Sequence, residues 1–259
     1  MMYETVLTEI TRTYVGIITL NRPEQLNTFT SQMAGELQSA LLDMETEKMV
    51  RVILLKSSGR AFCAGIDVNE LSGKSANQYR EWIEWMETPL VTISTMKKPV
   101  IAQLQGVATA NGMGLAAAAD LVIVSERVKM GLTAINVGLN CVGPILPVAR
   151  CVGRKKALEL LLYGNLLKAS EALELGLINR VVGHEELDET ALSWAEDLAQ
   201  RSPIAVQIAK SAFYQSEDMD YQKQFQYMNE AFARLCTTED AKEGVAAFLA
   251  KRNPTWKLK

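Results

Sequence analysis

Two turns of small residues hold the groups best placed for chemistry: Phe62-Cys63-Ala64-Gly65-Ile66-Asp67, and Gly106-Val107-Ala108-Thr109-Ala110-Asn111-Gly112-Met113-Gly114-Leu115. Each follows a strand-like apolar run, and the second opens an apolar helix. A turn of this kind aims a main-chain N–H at a fixed point, and a pair of fixed N–H donors is what a developing carbonyl oxyanion requires. The chemistry implied is that of a carbonyl compound. The side chains nearby are polar without being basic. Thr133, Asn136, Asn140 and Cys141 share a downstream loop, and Asp67 and Glu70 follow the first turn. Asn140 can orient a water or an acyl carbonyl but cannot take a proton at neutral pH. Cys141 is a nucleophile only if a cation lowers its pKa. No Lys, Arg or His stands near it in sequence, so an inert buried thiol is the favoured reading. Asp67 reads first as the cap of a short helix beginning near Val68, ahead of a catalytic role, and Glu70 as a capping partner or a solvated acid. His184 precedes Glu185-Glu186 in what reads as a solvated turn. Trp82 and Trp85 either line an acyl chamber or pack as aromatic core.

One pattern is a decoy. Gly112-Met113-Gly114-Leu115-Ala116-Ala117 has the outline of a dinucleotide fingerprint, G-x-G-x-x-A. That motif wants an acid at a strand end about 20 residues onward, where this chain reads Gly131-Leu132-Thr133-Ala134. Zinc chemistry lacks ligands, since the chain has a single histidine with no cluster around it. Cys63, Cys141, Cys151 and Cys236 are scattered, with no C-x-x-C pair, and read as reduced thiols.

The elements that must position the turns follow from periodicity. Strands are predicted at Tyr14–Leu20, Val50–Leu55, Pro99–Leu104, Leu121–Val124 and Ile178–Val182. A helix is predicted over Thr30–Lys48, with Met33, Leu37, Leu41 and Met44 on one face and Thr30 as N-cap. Strand–helix–strand order implies parallel crossovers and an α/β sheet covered by helices. From Lys155 onward the pattern is helical: Lys155–Tyr163, Ser170–Leu175, Leu187–Arg201, Ile204–Tyr214, Tyr221–Cys236 and Glu239–Lys251. That is more helix than an α/β core needs as cover, so part of it is expected to form an oligomer interface or a lid. The division predicted is a core over residues 1–195 and a helical oligomerisation or lid region over 196–259.

The chain has 259 residues, 48% of them hydrophobic, which suffices for one large core. A formal net charge of −3 offers no broad basic surface for nucleic acid or anionic lipid. No apolar run approaches the roughly 20 residues of a membrane span. Met1-Met2-Tyr3-Glu4 carries an acid where a targeting leader carries Lys or Arg, so the expectation is a cytoplasmic protein without nucleic-acid or membrane partners.

The chain resembles the enoyl-CoA hydratase/isomerase family, the crotonase superfamily, over nearly its full length. The matching pieces come in the family's order: Ile18-Thr19-Leu20-Asn21-Arg22-Pro23 with Asn27, Phe62 to Asp67, Gly106 to Leu115, Ala119-Asp120-Leu121, Ile135 to Leu139, Ala172 to Asn179, and Phe248-Leu249-Ala250-Lys251-Arg252. The pattern around Asn111 and Asn136–Cys141 is most similar to a divergent subgroup, the hydratase domain-containing protein three type. The resemblance implies a crotonase-like ββα spiral core with a helical C-terminal trimerisation region, homotrimers that pair into hexamers, and acyl-CoA thioester ligands. No tightly bound cofactor is implied, coenzyme A arriving as part of the substrate. Carried over by position, the oxyanion donors are the N–H groups of Ile66 and Asn111. The coenzyme would lie along Asn27, Cys63, Ala64 and Ile66, with Lys251 reaching the nucleotide of a neighbouring subunit. Lys251-Arg252 reads equally as charge complementing a helix C-terminus. Hydratases of the family place two glutamates where this chain has Gly114 and Ala134, and the related dehalogenases an aspartate where it has Val142. Acyl-CoA hydration or isomerisation, a base-free enolate reaction such as decarboxylation, and acyl-CoA binding without turnover all stay open on the sequence.

Overall fold

The computed structural model describes residues 3–259; Met1 and Met2, part of the start discussed above, lie outside them. Strand β1 (Val6–Ile10) pairs antiparallel with β2 (Val15–Leu20). Helix α1 (Ser31–Thr46) begins where the Thr30 hydroxyl accepts the Met33 N–H at 3.1 Å, and it buries Met33, Leu37, Leu41 and Met44 on one face. Strand β3 (Val52–Ser57) then returns parallel to β2. Helix α2 (Ala76–Thr95) starts with a Ser75–Gln78 capping box and buries Met86, Leu90 and Ile93, with Pro89 inside it.

Strands β4 (Val100–Leu104) and β5 (Val107–Thr109) run almost end to end but belong to different sheets. The chain changes sheets at Gly106, whose φ of +64° suits glycine and where a Cβ would overlap the Arg60 carbonyl. Helix α3 (Asn111–Ala118), β6 (Leu121–Ser125), β7 (Lys129–Gly131), α4 (Ile145–Tyr163), β8 (Leu167–Lys168), α5 (Ala169–Glu174) and β9 (Arg180–Val182) complete the spiral. Gly153 bends α4. The larger sheet has the order β1-β2-β3-β4-β6-β9, parallel except for its first pair, and the smaller one β5-β7-β8.

Alternation along β3 divides the core in two. Ile53 and Leu55 face a cluster with α1, α2 and α3 that includes Leu37, Phe62, Met86 and Leu115. Val52 and Leu54 face the opposite side, where Leu187, Ala191, Ala195 and Ala199 of α6 (Leu187–Ala199) cover them. Position 195 therefore falls inside a helix packed on the sheet. Helices α7 (Pro203–Ser216), α8 (Tyr221–Cys236) and α9 (Glu239–Leu249) follow. Buried Lys210 fastens α7 to the core, donating to the Ile93 carbonyl at 2.7 Å, the Lys98 carbonyl at 3.0 Å and Asp120 Oδ2 at 2.7 Å. Burial outweighs the attraction within this pair and pushes both groups toward neutrality, Asp120 upward and Lys210 downward.

Candidate active site

The two small-residue turns meet. The Cys63 N–H donates to the Val107 carbonyl at 3.1 Å, and the Thr109 N–H donates to the Cys63 carbonyl at 2.9 Å. Glycine makes the approach possible: a Cβ on Gly65, at φ +102°, would lie 3.0 Å from Ala110 Cβ, and one on Gly112 would overlap the Cys63 carbonyl. Phe29 grips the first turn on both sides of Ile66, donating to the Gly65 carbonyl at 2.8 Å and accepting the Asp67 N–H at 2.9 Å. Among the backbone hydrogen bonds of the described residues, none uses the N–H of Ile66 or of Asn111. Asn111 is the first residue of α3, so its N–H belongs to the unpaired, positively polarised helix start. Ala110 before it holds φ 50° and ψ −114°, a conformation that costs energy without glycine and that its surroundings enforce. The Asn111 side chain is buried as well, and its amide nitrogen has no acceptor.

Neither of the two positions that lack an acid has one nearby from its own element. Gly114 is closed: an added Cβ would stand 2.8 Å from Pro144 Cβ and 3.1 Å from Leu90 Cδ2. At Ala134 the carbonyl accepts the Leu139 N–H at 3.1 Å. Burial raises the pKa of Cys141, and it pushes Cys63 to about 12, so both thiols stay protonated. The Asn140 side-chain Oδ1 accepts the Cys141 N–H at 2.8 Å, while Asn136 is exposed beside Gly164 and Val142 is exposed.

Several other candidates are structural. Asn27 is fully buried with its amide used up, donating to the Ser58 carbonyl at 2.9 Å and the Ala61 carbonyl at 2.8 Å while accepting the Arg22 N–H at 2.7 Å. The Ala64 N–H donates to the Leu26 carbonyl at 3.1 Å. Asp67 caps the turn Val68–Glu70 and pairs with Arg22 at 3.2 Å; burial alone would raise its pKa, but the Asn69 N–H and Arg22 hold it below the usual carboxylate range. Glu70 accepts the Ser31 N–H at 3.0 Å and the Trp82 indole N–H at 3.2 Å, so it ties α1 to α2. Trp85 donates to the Ser31 carbonyl at 3.1 Å. His184 stands by Ser125 at the end of β6. Lys251 closes α9 with φ 52°, is exposed, and forms no ion pair among the described residues. No group of side chains able to hold a metal ion occurs among the described residues.

One acid that the sequence reading passes over borders a cavity near the end of α3 whose lining includes neither Ile66 nor Asn111. The acid is Glu87 on α2, and the half-open cavity of about 620 Å³ lies between α2, the end of α3, α4 and α7, with Leu90, Ala117, Leu146 and Phe213 among its apolar walls. Its carboxylate lies against Gly143, where a Cβ would overlap it. Burial alone acts on its pKa and raises it. The available signal was an acid beside the Met86, Leu90 and Ile93 stripe, on a face that a solvated helix would leave open to water.

Comparison with known proteins agrees with this architecture. A family model described as enoyl-CoA hydratase/isomerase matches residues 11–259. The chain is 33% identical over 249 residues to the rat mitochondrial enoyl-CoA hydratase domain-containing protein 3, covering 95% of this chain and 83% of that protein. The crystal structure of the human enoyl-CoA hydratase domain-containing protein 3 superposes with a TM-score of 0.91 at 31% identity, covering 98% of this chain and all of that one (100%). That of an enoyl-CoA hydratase from Mycobacterium smegmatis gives 0.94 at 33% identity over 98% of this chain and 99% of that one. With these turns, this spiral of sheets and a match from Thr11 to the last residue, the chain belongs to the enoyl-CoA hydratase/isomerase family.

Proposed function

We propose that the protein is an acyl-CoA thioester enzyme of the hydratase/isomerase type, which polarises the thioester carbonyl between the N–H groups of Ile66 and Asn111. The observation that carries this reading is the pair of unpaired main-chain donors on two turns pressed together through Gly65 and Gly112. Donors fixed before the substrate arrives need no reorganisation as negative charge grows on the oxygen, and each such donor is worth about 2.7–4 kcal/mol in the transition state. We assign the acyl chain to the cavity between α2, the end of α3, α4 and α7, whose walls are mostly apolar with Arg150, Glu217 and Asp218 among its lining. Coenzyme A then follows the main chain at Asn27, Cys63, Ala64 and Ile66. Lys251, exposed at the end of α9, is available to the nucleotide of a neighbouring copy in a trimer or hexamer. A reaction that needs no base is the second reading, favoured by the closed space at Gly114. In a decarboxylation the departing carboxylate itself supplies the electron pair of the enolate.

Mass spectrometry of the protein with saturated, 2-enoyl, 3-enoyl and malonyl-type CoA thioesters, in heavy water labelled with oxygen-18, separates these reactions. Labelled oxygen in the product identifies hydration, deuterium with a moved double bond identifies isomerisation, and loss of carbon dioxide identifies decarboxylation. Unchanged masses, together with thermal stabilisation by the same thioesters, would replace the enzyme reading by one of binding alone.

A further inference from the structure

We infer that Glu87 is the proton-transfer group of this site, a single carboxyl delivered from α2 in place of the two acids absent at positions 114 and 134. The inference rests on the acyl-thioester reading above and supplies the residue that reading leaves unassigned.

Placement is the first argument. Gly114 lies one helical turn after the Asn111 donor, a rise of about 4.5 Å along α3. The space its side chain would take is occupied by Pro144, 2.8 Å from an ideal Cβ. The residue before Pro144 is Gly143, and the Glu87 carboxylate rests on that glycine at the spot a Cβ would claim. Leu90, the other neighbour of that Cβ, and Gly143 both border the cavity that Glu87 borders, so a carboxyl from a different helix stands on the side of α3 that Gly114 faces.

Freedom is the second. Glu87 has no hydrogen-bond or ion-pair partner among the described residues, burial being the only influence on its protonation, and it borders the cavity. A half-buried carboxylate without a partner is unfavourable for folding. An apolar side chain would continue the wall made by Leu90 and Leu146, so the acid adds nothing to packing. Burial raises its pKa toward the range in which one group both accepts and returns a proton.

A single carboxyl suffices for balanced chemistry. In hydration, Glu87 carboxylate takes a proton from water as the water oxygen bonds to Cβ. The double-bond electrons move through Cα onto the thioester oxygen, held by the Ile66 and Asn111 N–H groups. The protonated carboxyl then gives its proton to Cα, the enolate collapses to the thioester, and one water has been added. In isomerisation of a 3-enoyl thioester the same carboxylate removes a Cα proton, and its return to Cγ moves the double bond into conjugation.

The test compares wild type, Glu87→Gln, Glu87→Asp and, as a control, Glu84→Gln, an exposed acid one turn earlier that pairs with Arg80. Turnover of 2-enoyl and 3-enoyl thioesters and Cα exchange in heavy water are measured together with thermal melting. Glu87→Gln is expected to lower kcat by about 10²- to 10⁴-fold with KM little changed. It should melt no lower than wild type, whereas loss of a merely structural group would lower the melting temperature. Glu87→Asp should recover part of the rate, and Glu84→Gln all of it. Gly143→Ala, which displaces the carboxylate, should reproduce the loss of kcat while thioesters still stabilise the protein. Wild-type kcat in Glu87→Gln, beside an active parent, would overturn the Glu87 assignment and leave the thioester reading standing. A parent that binds thioesters yet neither converts nor exchanges any of them would overturn both.

Discussion

At the scale of single residues the proposed oxyanion hole uses main-chain atoms, which makes side-chain substitution at its two donors a weak probe and backbone substitution a sharp one. Asn111→Ala keeps the N–H and should leave turnover close to wild type. Asn111→Pro removes the donor while keeping a residue suited to the start of a helix, and should lower kcat by about 10²- to 10³-fold, the effect of losing one oxyanion donor. Steady-state rates read beside circular dichroism of the two variants decide this, and an active, folded Asn111→Pro would remove Asn111 from the hole. The glycines that allow the turns to touch, Gly65 and Gly112, are legible in the sequence because their surroundings are so poor in large side chains. Glu87 is not legible. Its meaning comes from Gly143, a residue on a loop far along the chain, and a contact of that range leaves no local pattern.

At the scale of elements the sequence announces what is buried on one periodic face. The Thr30 cap and the Met33, Leu37, Leu41 and Met44 stripe give α1 almost to the residue, and the β-branched runs give β2, β3, β4 and β6. Strand β1 escapes because only Val6 of its five residues is buried, so no alternation shows. The short strands β5, β7 and β8 escape because two or three residues carry no period. Helix α2 is obscured by Pro89 and by its two tryptophans, although Ser75 and Gln78 spell a capping box ahead of it. A different kind of connection joins α7 to the core. Lys210 caps two carbonyls at the end of α2 and the start of β4 while meeting Asp120, and all of these are buried or nearly so. Lys210→Met would leave Asp120 buried without its counter-charge, and the expected cost is about 3–5 kcal/mol. Urea unfolding measures it. Hydrogen exchange should show α7, α8 and α9 opening before the strands, and uniform protection in the variant would mean α7 is held by other contacts.

At the scale of the whole molecule, α8 and α9 carry more exposed apolar surface than a solitary chain has use for. Phe225 is 56% exposed, Phe232 66%, Phe248 81% and Leu249 75%, on the helices that the family resemblance assigns to trimerisation. Sedimentation of the purified protein should give a multiple of three copies, and Phe232→Glu with Phe248→Glu should reduce it to single chains. A single chain in the unsubstituted protein would mean that the aromatic face meets something other than its own kind. The packing of Pro144 against Gly114 also limits how the chain can change by descent. Introducing Gly114→Glu to regain an ordinary hydratase acid should unfold or inactivate the protein unless Pro144→Gly is present, and Pro144→Gly by itself should only loosen the start of α4. The two changes are unfavourable singly and compatible together, so the order in which they arise decides whether either survives. A chain that packs Pro144 here sits on one side of a fitness valley, and an acid at position 114 lies on the other.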